Sequence, residues 1–271
     1  AGRHPPAAGV TLLLWLALAI KMAVTAGFVV LATATAERAG ALVGALVATL
    51  PIAAGPAYVF LALDHDPPFI AAAALVSLAV NAVTAIFALV YAAMAQTRGL
   101  GLSLAAAMTT WTIFAFIVRS IEWTLLTAVI LNLVVIPLCA AIGRRLREIA
   151  MPLVTRRWSD IPLRAAMAAL LVAVVVGLSA QVGAAVTGML AVFPIVLTSL
   201  MLILQPRIGG RPTAAVLANT ISGLGGFACS LLALHLAAVP LGSPAALTLA
   251  LAISIAANLS IWAARRRGIP V

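Results

Sequence analysis

Nine runs of mostly apolar residues follow one another along this chain with only short polar breaks. They cover about 10–34, 40–63, 69–95, 101–118, 122–142, 163–181, 184–205, 212–238 and 244–264. A helix needs roughly 20 such residues to cross a bilayer core. Inside lipid no water satisfies the backbone, so each run must satisfy itself as an α-helix. The expected fold is therefore all-α, a polytopic transmembrane bundle of about nine spans. The stretch 101–142 is about twice a span's length and is cut at Arg119, Ser120 and Glu122. Trp111 and Trp123 fit interface anchoring only loosely.

Composition removes the alternatives. Of 271 residues 8% are charged and 65% hydrophobic, with a mean hydropathy of +1.23. A soluble domain carries roughly a quarter charged residues, so this chain cannot clothe a globule in water. A disordered chain, a coiled coil and a secreted disulfide scaffold are excluded on the same ground. Cys139 and Cys229 lie in apolar runs without metal spacing and read as small hydrophobes. A net charge of +10 would suggest nucleic acid in a soluble protein. Here the basic residues flank apolar runs, so no nucleic-acid partner is expected and the bilayer is the first partner. The first run, from Val10, leads into a full-length span, and no cleavable signal peptide is expected.

Charge sets an expected orientation. Arg144, Arg145, Arg147, Arg156, Arg157 and Arg164 follow the fifth run, and Arg265, Arg266 and Arg267 follow the ninth. Counting spans places Arg38, Arg98, Arg207 and Arg211 on the same side, thirteen of the sixteen basic residues in all. Basic residues accumulate in cytoplasmic loops. The expectation is a bacterial inner-membrane protein with its N-terminus outside and its C-terminus in the cytoplasm.

A shift of 143 residues brings the two halves into register. Lys21 falls on Arg164, Gly40 on Gly183, Pro51 on Pro194 and Ile52 on Ile195, with 7 identities over positions 40–62. The third helices correspond with a gap of about three residues, and Leu104 falls on Leu247. The expected organisation is a four-helix repeat in residues 1–118, a linking helix with the start of a basic loop in 119–150, and a second four-helix repeat in 151–271. One extra span intervenes, so the second repeat enters from the opposite side and the two are inverted. The matching turns agree: DHDPP in the first half is acidic, QPRIGGRP in the second is basic. Inverted repeats are a recurring plan of secondary transporters; a parallel repeat or a coincidence of biased composition is the alternative.

The segments AIKMAV (19–24) and GALVATLPIAAGPAYVF (44–60) resemble the first two helices of the GlpM-like small four-helix inner-membrane proteins. GMLAVFPIVLTSLMLI (188–203) resembles the same second-helix motif. The resemblance implies a fused, doubled form of that unit. It speaks to architecture and not to chemistry.

Pro51 and Pro194 lie near the middle of their runs. Proline there removes a backbone hydrogen bond and distorts the preceding turn, and the freed carbonyls need protein or cavity water. Gly55 and Pro56 widen the first break; Thr198 and Ser199, after the second, can cap carbonyls. Matching interruptions in two halves point to a midplane binding site; a kink that improves packing is the equal alternative. Lys21 has two readings, a cation that attracts an anionic substrate or a side chain that snorkels to an interface. Its match with Arg164 favours the second. An ammonium at the bilayer centre costs at least about 2.5–3.5 kcal/mol. Asn81 and Asn219, in corresponding third helices, either line a substrate path or join helices by hydrogen bonds. The spacings Gly40…Gly44 and Ala184…Gly188 read as close helix packing.

Asp64, His65, Asp66 and His235 fall on the expected outer side. Three consecutive side chains cannot easily converge on one ion, so a solvated acidic turn is expected and no metal site. No paired carboxylates, GxSxG or HExxH motif supports an enzyme, and no P-loop supports ATP use; no cofactor is expected. The resulting expectation is a secondary carrier of a small weakly polar, anionic or lipid-like solute. Its site would use Pro51, Gly55, Pro56, Pro194, Thr198, Ser199, Asn81, Asn219 and Lys21. A passive channel and a non-transporting subunit or assembly factor are the alternatives, and a homo-oligomer or a membrane partner subunit stays open.

Overall fold

The computed structural model describes residues 8–38, 53–146 and 157–266. These form α1 (Ala8–Arg38), α2 (Ala54–Asp64), α3 (Pro67–Met94), α4 (Leu100–Arg119), α5 (Leu125–Gly143), α6 (Asp160–Ala191), α7 (Ile195–Ile208), α8 (Gly210–Leu241) and α9 (Ser243–Arg266). A single 3-10 turn, Arg144–Leu146, follows α5, and the described residues contain no strand. Seven of the helices are long and apolar enough to cross a membrane, and α2 and α7 are shorter apolar helices. At 1.5 Å per residue, 11 and 14 residues fall well short of a core of about 30 Å. The chain is a multi-pass membrane protein. Large apolar side chains face outward on α1, α4 and α5, among them Leu16, Phe116 and Leu133, as lipid contact requires.

The hub is α3. It packs against α8, α4, α5 and α6, while α8 also holds α9 and α5, and α1 lies on α6. α2 sits against α6, α9 and α3; α7 sits against α6, α8 and α4. Three contacts fix direction. His235 Nδ1 donates to the Ala71 carbonyl at 2.8 Å, Asn81 Nδ2 donates to the Leu224 carbonyl at 3.0 Å, and Gly210 lies on the Ala95 carbonyl. Thus α3 and α8 run antiparallel along their whole length. The turn at Asp66 and the turn at Gly209 sit at opposite ends of the bundle.

Small residues permit this packing. A Cβ on Gly188 would overlap the Ala73 carbonyl oxygen, and one on Gly210 would overlap that of Ala95. Only glycine lets backbones approach so closely.

The turns are chemically distinct in the two halves. Asp66 caps α3 by accepting from the Phe69 N–H at 3.1 Å, with Pro67 and Pro68 opening the helix. Gly99 precedes α4 at φ −69°. In the second half Gly183, Gly209 and Gly242 have φ of 75°, 84° and 79°, a region that favours glycine. Gly183 interrupts α6. Ser179, before it, meets His65; Gly188 and Gln205, after it, meet Ala73 and Tyr91. The segment 184–208 therefore runs beside α3 in the same direction, after a reversal at Gly183. Pro67 and Gly210 begin their helices 143 residues apart, and so do Leu100 and Ser243.

Charge divides along the bundle. Arg98, Arg144, Arg145, Arg157, Arg207 and Arg211 lie at the Gly209 end. Lys21, Asp64, Asp66, Arg119 and Glu122 lie at the Asp66 end.

Candidate functional site

A break in helical backbone between α6 and α7 shapes the interior. Between α6 and α7 the helix stops at Val192, φ −104° and ψ 16°, and resumes after Pro194. The Phe193 N–H bonds the Leu190 carbonyl at 3.0 Å instead of completing an α-turn. Thr198 returns both its N–H (2.9 Å) and its hydroxyl (2.8 Å) to the Pro194 carbonyl, and Ser199 donates to Val196 at 2.7 Å. The hydroxyls thus repair the break from within, leaving oxygen lone pairs as their remaining polar capacity. Ser199 also borders a small cavity of about 30 Å³ with Arg164, Val29 and Thr33.

Pro51 lies outside the described residues. Gly55 and Pro56 open the first turn of α2, where proline needs no intrahelical partner. Beside them is the larger crevice, of about 280 Å³, walled by α1 and α2 on one side and by α8 and α9 on the other. Phe28, Val59, Phe60, Leu231 and Leu251 are among its lining residues. Its hydroxyls are engaged: Tyr58 bonds Ser77 at 2.6 Å, Ser77 donates to the Gly188 carbonyl at 2.6 Å, and Ser230 donates to Ala250 at 2.8 Å.

Lys21 stands at the Asp66 end of the bundle, not at its middle. Its ammonium reaches Asp64 at 2.5 Å and lies 5.9 Å from the centre of the Phe60 ring. At the other end Arg207 forms a two-pronged pair with Asp160, which also accepts from the Arg157 N–H at 3.0 Å. Each pair ties the first helix of a half to the end of the following short helix. The acidic turn is fully employed: Asp64 holds Lys21, Asp66 caps α3, and His65 Nε2 hydrogen-bonds with the Ser179 hydroxyl at 2.7 Å while stacking on Phe69. Among the described residues no three His, Cys, Asp or Glu side chains group as a metal site.

The two asparagines are not brought together. Asn81, 1% exposed, donates to Asn132 at 2.9 Å and to the Leu224 carbonyl, and Asn132 donates to Leu78 and Ala128. This node knits α3, α5 and α8, and Asn81 Oδ1 is left without a partner. Asn219 donates to Ala215 of its own helix. Nor do α2 and α7 form a packed pair. Gly55 and Pro56 line the large crevice and Lys21 stands over its lining residue Phe60, whereas Ser199 borders the small cavity toward α1 and α6.

Sequence reasoning did not find the ion pairs or the Tyr58–Ser77–Gly188 chain. The 143-residue shift sets Asp64 on Arg207 and Lys21 on Arg164, both arginines, and so gave no signal of Asp160 as the partner of Arg207. Comparison of the chain with protein-family models, curated proteins and solved structures finds no match.

Proposed function

We propose that the chain is an inner-membrane secondary carrier built from two inverted four-helix repeats, residues 1–118 and 151–271, joined by α5. On this reading it is a doubled GlpM-like unit whose basic Gly209 end faces the cytoplasm. The antiparallel course of α3 and α8 supports inversion, as do helix starts at matched positions and the matched placing of Asp64 and Arg207, each ion-paired near the end of its short helix. The observation that carries the carrier reading is an asymmetry. Among the described residues a crevice opens between α1–α2 and α8–α9, while aromatic rings meet at the corresponding place between α6–α7 and α3–α4. There Trp111 sits edge-on against Phe193, ring centres 5.0 Å apart. Phe28 is 43% exposed where its counterpart Leu171 is 6% exposed. Exchange of open and filled states between two inverted halves is alternating access, with one half rocking against the other.

The substrate path then follows the two short helices, through Gly55 and Pro56 in one half and Pro194 to Ser199 in the other. Its walls suit a weakly polar, anionic or lipid-like solute. Reconstituted vesicles given a panel of short-chain carboxylates, inorganic phosphate and a fluorescent short-chain phospholipid are the test. Saturable uptake of one of these, reduced in the Pro51→Ala/Pro194→Ala double variant, is expected. Unchanged transport in that variant rejects the site, flux without saturation marks a channel, and a stoichiometric co-purifying partner with no flux marks a non-transporting subunit.

A further inference from the structure

The crevice beside α2 is polarised along its length. From Gly55 to Phe60 on α2, and from Phe227 to Leu234 on α8, it offers apolar side chains and hydroxyls already engaged elsewhere. At its Asp66 end Lys21 stands over Phe60, itself a lining residue. Lys21 shares a face of α1 with Val24 and Phe28, three and seven residues on, both of which line the same space. An ammonium has three donors; among the described residues Asp64 engages one. Val24, Phe28, Val59 and Leu251 line the crevice and are themselves exposed. The mouth therefore opens sideways, where lipid chains lie, rather than toward water.

We propose that this crevice takes a single-chain amphiphile with an anionic head group, its chain lying along α2 and its head on Lys21. The inference rests on the carrier reading of the same crevice and names its substrate class. Apolar walls have nothing to hold a small hydrophilic ion, but burying a chain there gains roughly 25 cal/mol per Å² of apolar surface. A cationic head would have to pass Lys21 to reach Asp64, one turn farther out on α2. An anionic head meets directly the donors of Lys21 that Asp64 does not engage.

The test uses the full chain in phosphatidylcholine nanodiscs with an alkyl phosphate probe bearing a diazirine in its chain. Cross-links are mapped by mass spectrometry. They are expected to concentrate in 54–60 and 227–234, and to fall roughly tenfold in Lys21→Gln, the effect of losing about 1.4 kcal/mol. Lys21→Arg is expected to retain them. The double variant Lys21→Gln/Asp64→Asn, which leaves no unpaired carboxylate, is expected to lose them equally. Val59→Trp, which fills the crevice, is expected to abolish them, and Leu133→Trp on the lipid face of α5 is not. Equal cross-linking by a trimethylammonium analogue, or labelling indifferent to Lys21→Gln and Val59→Trp, overturns the proposal. Saturable transport without head-group-dependent cross-linking removes the amphiphile and leaves the carrier. Head-group-dependent cross-linking without any transport does the reverse.

Discussion

The two short helices meet the same structural demand with different chemistry. α2 ends in Asp64, tied to Lys21 of α1; α7 ends near Arg207, tied to Asp160 at the start of α6. Their turns differ too, an aspartate cap and proline at Asp66–Pro67 against a positive-φ glycine at Gly209. What persists between the halves is the placement of a tether at the end of a short helix. What changes is its sign, acidic where α2 ends and basic where α7 ends, as expected of loops sorted by the positive-inside rule. The packing beside the two helices differs as well: Val59 and Phe28 border open space, whereas Trp111 and Phe193 close the matching place.

Removing the plug sharpens that contrast most. Trp111, 4% exposed, fills the closed side, and Trp111→Ala is expected to cost about 3–5 kcal/mol. Thermal unfolding in detergent, followed by circular dichroism, reads the loss; a shift as small as that of an exposed substitution would break the open-versus-closed comparison.

Close packing gives the next effect. Gly188→Ala drives a methyl into the Ala73 carbonyl and is expected to cost about 1–3 kcal/mol. Gly55→Ala meets nothing within 4 Å and is expected to leave the unfolding midpoint unchanged. Equal melting of the two variants contradicts the assignment of Gly188 to a helix contact and Gly55 to a cavity wall.

The ion pairs rank below these. Arg207 and Asp160 are 15% and 13% exposed at their side chains, Lys21 and Asp64 18% and 37%. Asp160→Asn, which breaks a two-pronged pair, is therefore expected to lower the unfolding midpoint more than Asp64→Asn, which breaks a single contact. The exchange Asp160→Arg/Arg207→Asp recovers part of the loss. A reversed order of the two single variants would show that the tether at the Lys21 end carries more of the fold.

Much of this architecture was legible in the sequence, because lipid imposes a length and forbids unsatisfied backbone. The apolar runs return as helices among the described residues, seven of them of spanning length, but the run 184–205 is shared between the end of α6 and α7. The run 184–205 is divided at Pro194, as its proline implied. Gly209, in QPRIGGRP, marks a turn that its composition announces. The pairing of Lys21 with Asp64 was not legible, since 43 residues separate them and each alone reads as an interfacial charge. The unequal packing of the halves was not legible either. Val, Leu and Phe face both lipid and core here, so apolar composition does not distinguish a filled place from an open one. Asn81 reads as a path residue or a helix tie, and only its bonds to Asn132 and Leu224 distinguish the two.

Polar ties of this kind are individually small. Asn81→Ala is expected to cost about 0.6–2 kcal/mol, with the loss cancelled in part when Asn132 is also replaced. Strict additivity of the two replacements would mean that the node does not act as a unit.

Two antisymmetric halves require the turns beside Pro68 and Arg211 to open on opposite faces of the membrane. Single cysteines at these exposed positions, in a Cys139→Ala/Cys229→Ala background, can be labelled with an impermeant maleimide in right-side-out and inverted vesicles. Pro68→Cys is expected to react only in right-side-out vesicles and Arg211→Cys only in inverted ones. Reaction of both from a single side would contradict the inverted arrangement, and with it the carrier built on it.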